Sequence, residues 1–521
     1  MFRSPRIAWA RDDVAWGLLA GAVALIALGL LRSTLMEGVW FWDTAEAQTV
    51  PPLLGTMHPT GFPAYTILGW LASIALSPLG DPAFRMNLLS AILVALAAAG
   101  AVAAARRLGV PPVIAGAAAL GFALTPVVWQ IGSSADAHAL HLALAVGLVL
   151  LLLAWERAVR QRPRRWGESM PTVATDRRLV AAAAWFGVLL ANHALTFLLV
   201  PAIGLYVLAV DRSALARPRL VLSCIGATLG VAALFYLQLP LRAGVLPAPI
   251  VYADPSTWDG FWYIVLAEQF RGSIVDPLGK LDVKLGALVD LTARQLGPLA
   301  WLLPPAVLAT ARRAPRYLVL SGTAVAVTCF FAASYENAEI QRYYLVPAFF
   351  AWTWLAVLGG VVVDLAADIR IRRRWELRTL LAAVLAVLLV TPTVVGLPVR
   401  RADVIASQGP DGRRWLDQVM VGLAPDALVL SSWSFSTTLW YGQLIEGRRL
   451  DVRVVDDRDL LDEHLGDVSD VIDANLGRRP VYLARIDPGE VSLLGARYRL
   501  EALSGPMNVY RVLGTLEATN G

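Results

Sequence analysis

Apolar runs of about bilayer length, separated by short arginine-rich blocks, recur through the first four hundred residues. They constrain the fold more than any other feature. A spanning helix needs about 20 mostly apolar residues, and arginine-rich connections tend to stay on the cytoplasmic side. Arginines cluster at 3–11, 106–107, 157–165 with 177–178, 212–219, 312–316 and 370–378. Placing all of them on one side predicts spans near 14–33, 85–105, 111–131, 136–157, 179–191, 195–210, 218–239, 288–311, 317–334, 344–366 and 379–398. That is about eleven helices, with the N-terminus cytoplasmic and the C-terminus outside. The run at 62–80, "FPAYTILGWLASIALSPLG", does not fit this alternation and reads as an interfacial or re-entrant helix on the outer face.

Composition agrees with a multi-pass membrane protein. Of 521 residues, 57% are hydrophobic and 16% charged, against about 25% charged in soluble domains. The net charge of +5 is no sign of nucleic-acid binding, because the arginines sit between spans. Lys280 and Lys284 are the only lysines, as in a GC-rich, bacterial genome. Cys224 and Cys329 lie in apolar runs and imply neither a disulfide nor a metal framework. Arg3, Arg6 and Arg11 precede the first apolar core, but bulky "MEGVWFWD" follows it, so a retained signal anchor is expected.

The outer face gathers the residues that have no topogenic role. They lie in "WDTAEAQ…HPTGFP", "GSSADAHALH", "NHALT", the loop 240–286 and "YENAEIQRYY". Beyond residue 400, "ALVLSSW", "DVRVVDD", "PVYLAR" and "RYRLEAL" read as short strands between helical segments. The predicted fold is a polytopic all-α membrane domain, residues 1–400 with outer loops 34–84 and 240–286. A small extracytoplasmic α/β domain, 401–521, follows it. That domain carries no phosphate loop, metal cluster or nucleophile elbow, so it is expected to shape substrate or bind a partner.

Asp43 and Glu46 are three residues apart, on one face of a helical turn beside Trp40 and Trp42. Partial dehydration would tune such a carboxylate toward general-base work. Equally, Asp43 could cap an interfacial helix with the tryptophans forming an aromatic belt. "HPTGFP" is a stiff turn carrying His58. Asp136 and His138 open a span, where they could ligate a metal, although capping by Ser133 or Ser134 and a packed histidine is the plainer account. Asn192 and His193 sit at a helix break of the kind that lines cavities. Arg242, Arg271 and Arg342 oppose the topogenic trend and suit an anionic headgroup, the alternative being a rim salt bridge of Arg342 with Glu336 or Glu339.

Taken in order, these motifs resemble a family of polytopic membrane proteins that includes animal endoplasmic-reticulum protein O-mannosyltransferases. The resemblance is carried by "WDTAEAQ", "HPTGFPAYTILGWL", "GDPAFRMNLLSA", "NHALT", "LPLRA", "DPSTWDGFWY…EQFRG" and "YENAEIQRYYLVPAF", spread over most of residues 40–350. Near the last of these the family often shows an acidic Y-D-x-x-D-x-E-x-Y-Y pattern, which Gln341 and Arg342 alter here. The resemblance implies a GT-C glycosyltransferase that takes sugar, such as mannose, from a polyprenyl-phosphate carrier on the outer face. It gives Asp43 the role of catalytic base, with Glu46 as its neighbour.

The expected reaction is an inverting transfer to an acceptor hydroxyl on a protein, glycan or lipid. His58, Asp136, His138, Asn192, His193, Arg242, Arg271, Glu336 and Arg342 are the candidates for holding the donor phosphate or other substrate groups. No cofactor is required, because cationic side chains can balance a leaving monophosphate, and a divalent metal is not favoured. The rival classes are a transporter or flippase of lipid-linked substrates, which would be expected to show internal repeats, and a non-catalytic assembly subunit.

Overall fold

The computed structural model describes residues 5–161, 173–336, 339–368, 374–408 and 411–516. Several arginines used above to orient the chain, in 1–4, 162–172 and 369–373, lie outside the described residues. The membrane part opens with α1 (Pro5–Arg32), short α2 (Trp42–Thr49) and α3 (Pro63–Ala75), then the long α4 (Pro82–Arg107). It continues through α5 (Pro112–Ala123), α6 (Pro126–Ser133), α7 (Ala137–Arg160), α8 (Val173–Asn192), α9 (Val200–Val210) and α10 (Pro218–Tyr236). Further helices run over Leu281–Leu296, Leu303–Arg313, Pro315–Ala333, Leu345–Asp368 and Arg374–Gln408.

Every expected span is helical, but not every one is continuous. Among the described residues seven helices are long and apolar enough to cross a membrane, or up to eight if α5 and α6, bent by 64°, form one. Proline explains the breaks, since it cannot donate to the preceding turn. Pro126 begins α6, Pro201 lies at the start of α9, and Pro298 and Pro304 are the second residues of the short helical segment Gly297–Leu302 and of the helix after it, which together divide the expected 288–311 span. The α3 helix has 13 residues, about 20 Å, too short to cross.

Alanine and glycine let α4, α5 and α7 pack closely. Gly121 is in van der Waals contact with the Trp352 ring, and a Cβ there would fall 2.2 Å from it. The Trp352 indole donates to Thr125 Oγ1 at 2.8 Å, fixing the α5–α6 bend against the helix Leu345–Asp368.

The C-terminal domain is a five-stranded sheet in the order β2-β1-β3-β5-β4. The strands are β1 (Leu428–Ser431), β2 (Arg453–Asp456), β3 (Val481–Ala484), β4 (Tyr498–Ala502) and β5 (Val509–Thr515). Strands β1, β2 and β3 are parallel, with Ser431 opposite both Asp456 and Ala484 at their carboxyl ends. β5, not foreseen from sequence, pairs antiparallel with β3 and β4. The expected domain boundary at 400/401 falls inside the helix Arg374–Gln408, which runs out of the membrane part without a break.

The two parts share a core. Phe41, just before α2, packs between Trp415 (ring centroids 5.5 Å apart) and Phe435 (5.6 Å), which stack on each other at 4.8 Å. Thr438 Oγ1 donates to Trp40 O at 2.6 Å and Thr437 Oγ1 to Trp42 O at 3.2 Å. The sheet domain therefore clamps the segment that carries Asp43.

Candidate active site

The α2 helix begins after an extended residue, Phe41, whose side chain makes no cap. Asp43 is thus in the first turn rather than at the cap, and the capping alternative does not apply. Gln48 fastens α2 from behind: its Oε1 accepts from Trp40 N at 2.9 Å, and its Nε2 donates to Asn87 Oδ1 at 2.9 Å. Asn87, from "RMNLLS", also accepts from Ala135 N (2.8 Å) and donates to Met36 O (2.9 Å). One fully buried amide thereby joins the end of α1, α2 and the start of α7.

Helical spacing puts Asp43 and Glu46 on one side, but their surroundings differ. The Asp43 side chain is 44% exposed, whereas Glu46 is wholly buried. The turn after α2 closes through Gly61 N donating to His58 O at 2.7 Å. Gly61 has φ +77°, and a Cβ there would meet Ile264 at 2.8 Å, so glycine is required. This turn returns His58 to Glu46: the His58 backbone N–H donates to Glu46 Oε1 at 2.7 Å, and its ring Nδ1 bonds Oε2.

Burial raises the Glu46 pKa against the opposing pull of His58. For His58 burial acts downward, but Glu46 and then Asp43 outweigh it and push the imidazole up to about 9. His58 is therefore a cation at neutral pH, held beside the two carboxylates.

Asp136, rather than Ser133 or Ser134, caps α7, accepting from His138 N at 2.7 Å and His138 Nδ1 at 2.8 Å. Its other oxygen lies 3.4 Å from Arg342 Nη1, which is also 3.6 Å from Asp43 Oδ2. Arg342 pairs with Glu339 as well. The rim salt bridge expected as an alternative is present, and the same guanidinium bridges the two carboxylates across the site. Burial would raise the Asp136 pKa, but Arg342 and His138 overcome it and hold the carboxyl well below its ordinary value. The His193 ring lies 4.7 Å from His138 and 5.2 Å from Phe62. Burial and then the nearby His138 hold it neutral.

These groups border a cavity of about 700 Å³. Of the sequence candidates, Asp43, His58, Asp136, His138, His193, Arg271 and Arg342 line it. Glu46 lies behind His58 and reaches the cavity only through it. Asn192 is buried, donating to Ala137 O at 3.2 Å. Arg242 lies off the cavity and donates to Leu54 O at 3.0 Å and Leu53 O at 3.4 Å, holding the turn after α2. Glu336 is exposed and lies outside the lining.

The C-terminal domain supplies a wall that sequence reasoning missed, with Trp433 just past β1 and Asp456, Asp457 and Arg458 at the end of β2. Arg458 lies over the rings of Tyr263 (4.7 Å) and Tyr252 (5.4 Å). The available signal was topological: ligands of open α/β sheets gather at the carboxyl ends of parallel strands.

Among the described residues Asp43, Glu46 and His58 each offer a ligand atom, all within 4.8 Å of one another. Glu46 and His58 are hydrogen-bonded to each other, and a metal there would have to displace the imidazole proton. Asp136 and His138, the pair considered from sequence, are engaged with each other and with Arg342.

The fold and the cavity define a multi-pass membrane protein, a helical bundle whose site at one end is closed by an α/β cap. The crystal structure of ArnT from Cupriavidus metallidurans bound to undecaprenyl phosphate superposes with a TM-score of 0.59 at 14% identity, covering 96% of this chain and 98% of that one. The archaeal oligosaccharyltransferase AglB from Archaeoglobus fulgidus, in complex with an inhibitory peptide and a dolichol-phosphate, gives 0.53 at 14% identity over 95% and 76%.

In sequence, residues 43–215 match the model of the protein O-mannosyl-transferase TMEM260 N-terminal domain. Protein O-mannosyl-transferase TMEM260 of Mus musculus is 30% identical over 265 residues, 49% of this chain and 35% of the mouse protein. The chain thus spans about a third of that relative's length. The matched region begins at Asp43 and includes α2, the His58 turn, Asp136, His138 and His193.

Proposed function

We propose that the chain is a membrane glycosyltransferase that moves a sugar, such as mannose, from a polyprenyl-phosphate donor to an acceptor hydroxyl, with inversion. The observation that carries this reading is the cavity itself. It joins one half-exposed carboxylate, Asp43, to the guanidiniums of Arg271 and Arg342 at the membrane end where α1 emerges. The solved structures of the same fold hold undecaprenyl phosphate or dolichol-phosphate, and the matched mouse protein is a protein O-mannosyl-transferase. Both agree with this chemistry.

In the proposed step Asp43 takes the proton of the acceptor hydroxyl. The freed oxygen pair attacks the anomeric carbon, forming the new glycosidic bond. The bond from that carbon to the phosphate oxygen breaks, and the electron pair leaves with the polyprenyl phosphate. Arg271 suits the leaving phosphate because, among the described residues, the one carboxylate within ion-pair distance, Glu268, is 3.8 Å away, and the side chain is 56% exposed. His58, charged and positioned by Glu46, adds a second positive group beside the reacting centre. These cations balance a monophosphate without a metal. The site is proposed to face outward, opposite the arginine blocks, with the α/β domain outside the cell.

The test is Asp43→Asn in folded, purified protein supplied with a polyprenyl-phosphate sugar and an acceptor. Loss of a general base should lower turnover by about 10²-fold or more. Turnover near that of the unaltered protein would remove Asp43 from this role.

A further inference from the structure

A second cavity of about 700 Å³ lies at the opposite ends of the same helices. Asp13 and Trp16 reach it from the start of α1, Arg106 and Arg107 from the end of α4, and Arg157 and Arg160 from the end of α7. Arg313, which ends the helix Leu303–Arg313, completes it. The 26 residues of α4 separate this cavity from the Asp43 site by about 39 Å, roughly the thickness of a membrane.

Five arginines face two carboxylates in the lining, Asp13 and Glu156, which leaves three positive charges unbalanced there. Arg106 is taken up by Asp12 and Asp13 and lies over the Trp16 ring at 5.5 Å. Arg160 pairs with Glu156 at 2.6 Å, and Arg313 with Asp364 at 2.7 Å. Glu156 is further held by Arg316 at 3.5 Å and by the Tyr206 hydroxyl, which donates at 2.8 Å.

Two arginines are left over. Arg107 Nη1 donates to the Ala103 carbonyl at 3.3 Å, and the side chain feels the like charges of Arg106 and Arg157. Among the described residues neither Arg107 nor Arg157 is within ion-pair distance of a carboxylate. Orientation in a membrane requires basic residues near span ends. It does not require them to converge from three helices on one concave site, where they repel each other. Trp16, Ala20, Val102 and Leu153 give the cavity apolar walls. Leu18 and Leu25 of the bordering α1 are 70% and 71% exposed, so this helix faces lipid.

We propose that this cavity binds the phosphodiester headgroup of an anionic membrane phospholipid, held by Arg107 and Arg157. Guanidinium forks match phosphate oxygens two at a time, and basic pockets between spanning helices are suited to anionic headgroups. The lipid's chains would lie along α1. The site is independent of the transfer chemistry proposed above.

Binding can be measured on the purified full chain in detergent by titration with phosphatidylglycerol, phosphatidylcholine and inorganic phosphate. Phosphatidylglycerol should bind at least tenfold more tightly than phosphatidylcholine. Arg107→Gln and Arg157→Gln should each weaken it about fivefold. Arg219→Gln removes an exposed arginine at the same end of the bundle but outside the cavity, and should leave binding unchanged.

Equal binding of the two lipids, or an equal loss in Arg219→Gln, would overturn the proposal. Full displacement of the lipid by millimolar inorganic phosphate would also overturn it, assigning the site to the free anion. Comparing the lipids on the unaltered protein requires no variant, so the test stays decisive even if the arginine variants do not fold.

Discussion

Replacing His58 by glutamine should flatten the alkaline limb of the protein's stability profile. The imidazole has an ordinary pKa of 6.5 and is pushed up to about 9 in the folded chain by Glu46 and Asp43, against burial and the charge of Arg342. A raised pKa means that the folded state holds the proton more tightly. The resulting stability is complete below pH 6.5 and is lost as pH climbs through 9. Glu46, itself raised, contributes with the same sign.

A shift of about 2.5 units corresponds to a ceiling of about 3.4 kcal/mol, reduced somewhat because the His58 side chain is 15% exposed. For 521 residues the unfolding entropy is about 1.1 kcal/mol per degree, so the midpoint should fall by about 3 °C. The assay is thermal unfolding in detergent at pH 6 and pH 10, with and without His58→Gln. Tyrosines and cysteines that titrate over this range do so in both proteins, so the difference between them reports the imidazole together with its hold on Glu46. An equal fall in the variant, or no fall in the unaltered protein, would refute the argument.

Arg342→Gln should cost about 3 kcal/mol, because it strands the buried Asp136 carboxylate. It should lower the melting temperature and abolish turnover together. Arg242→Ala and Arg271→Gln should separate cleanly. The first loses two bonds to carbonyls and should cost about 1–2 kcal/mol with the donor KM unchanged. The second should leave the melting temperature unaltered and raise the donor KM about tenfold, the worth of one charged hydrogen bond. Gly121→Ala should destabilise by about 1–3 kcal/mol in the same melting assay, since the added methyl meets the Trp352 ring.

Hydropathy and arginine placement were enough to read a helical membrane protein, the end at which reactive residues collect, and the sheet domain beyond residue 400. They did not show which apolar lengths are interrupted, because apolar length does not show where proline breaks a helix, as at Pro126 and Pro298. Asp43 and His58 were legible because their local spacing brings them to one place. Arg242 and Arg342 looked alike as outer arginines, yet one ties down a loop and the other bridges Asp43 and Asp136. That difference comes from packing between segments 188 to 299 residues apart, which no local pattern encodes. Trp433 and Asp456 stayed hidden for the same reason, since only the parallel pairing of β1 with β2 brings their strand ends together.

The shared core also changes what removal of the C-terminal domain can reveal. Were that domain a separate cap, deleting it would distinguish an enzyme, which keeps its donor site, from a binding subunit, which loses its purpose. Here Phe41 is 6% exposed, with Trp415 and Phe435 packed against it, and Thr437 and Thr438 hold the carbonyls of Trp42 and Trp40. Uncovering Phe41 alone would forfeit about 2 kcal/mol of apolar burial at the residue just before α2, two positions before Asp43. Deletion would therefore loosen the proposed base itself, and loss of activity would follow under either reading. Point changes on the cavity wall leave that clamp in place: Asp456→Asn and Arg458→Gln alter groups that face the cavity and spare Phe41, Trp415 and Phe435. They ask of the wall alone what a deletion asks of wall and base together.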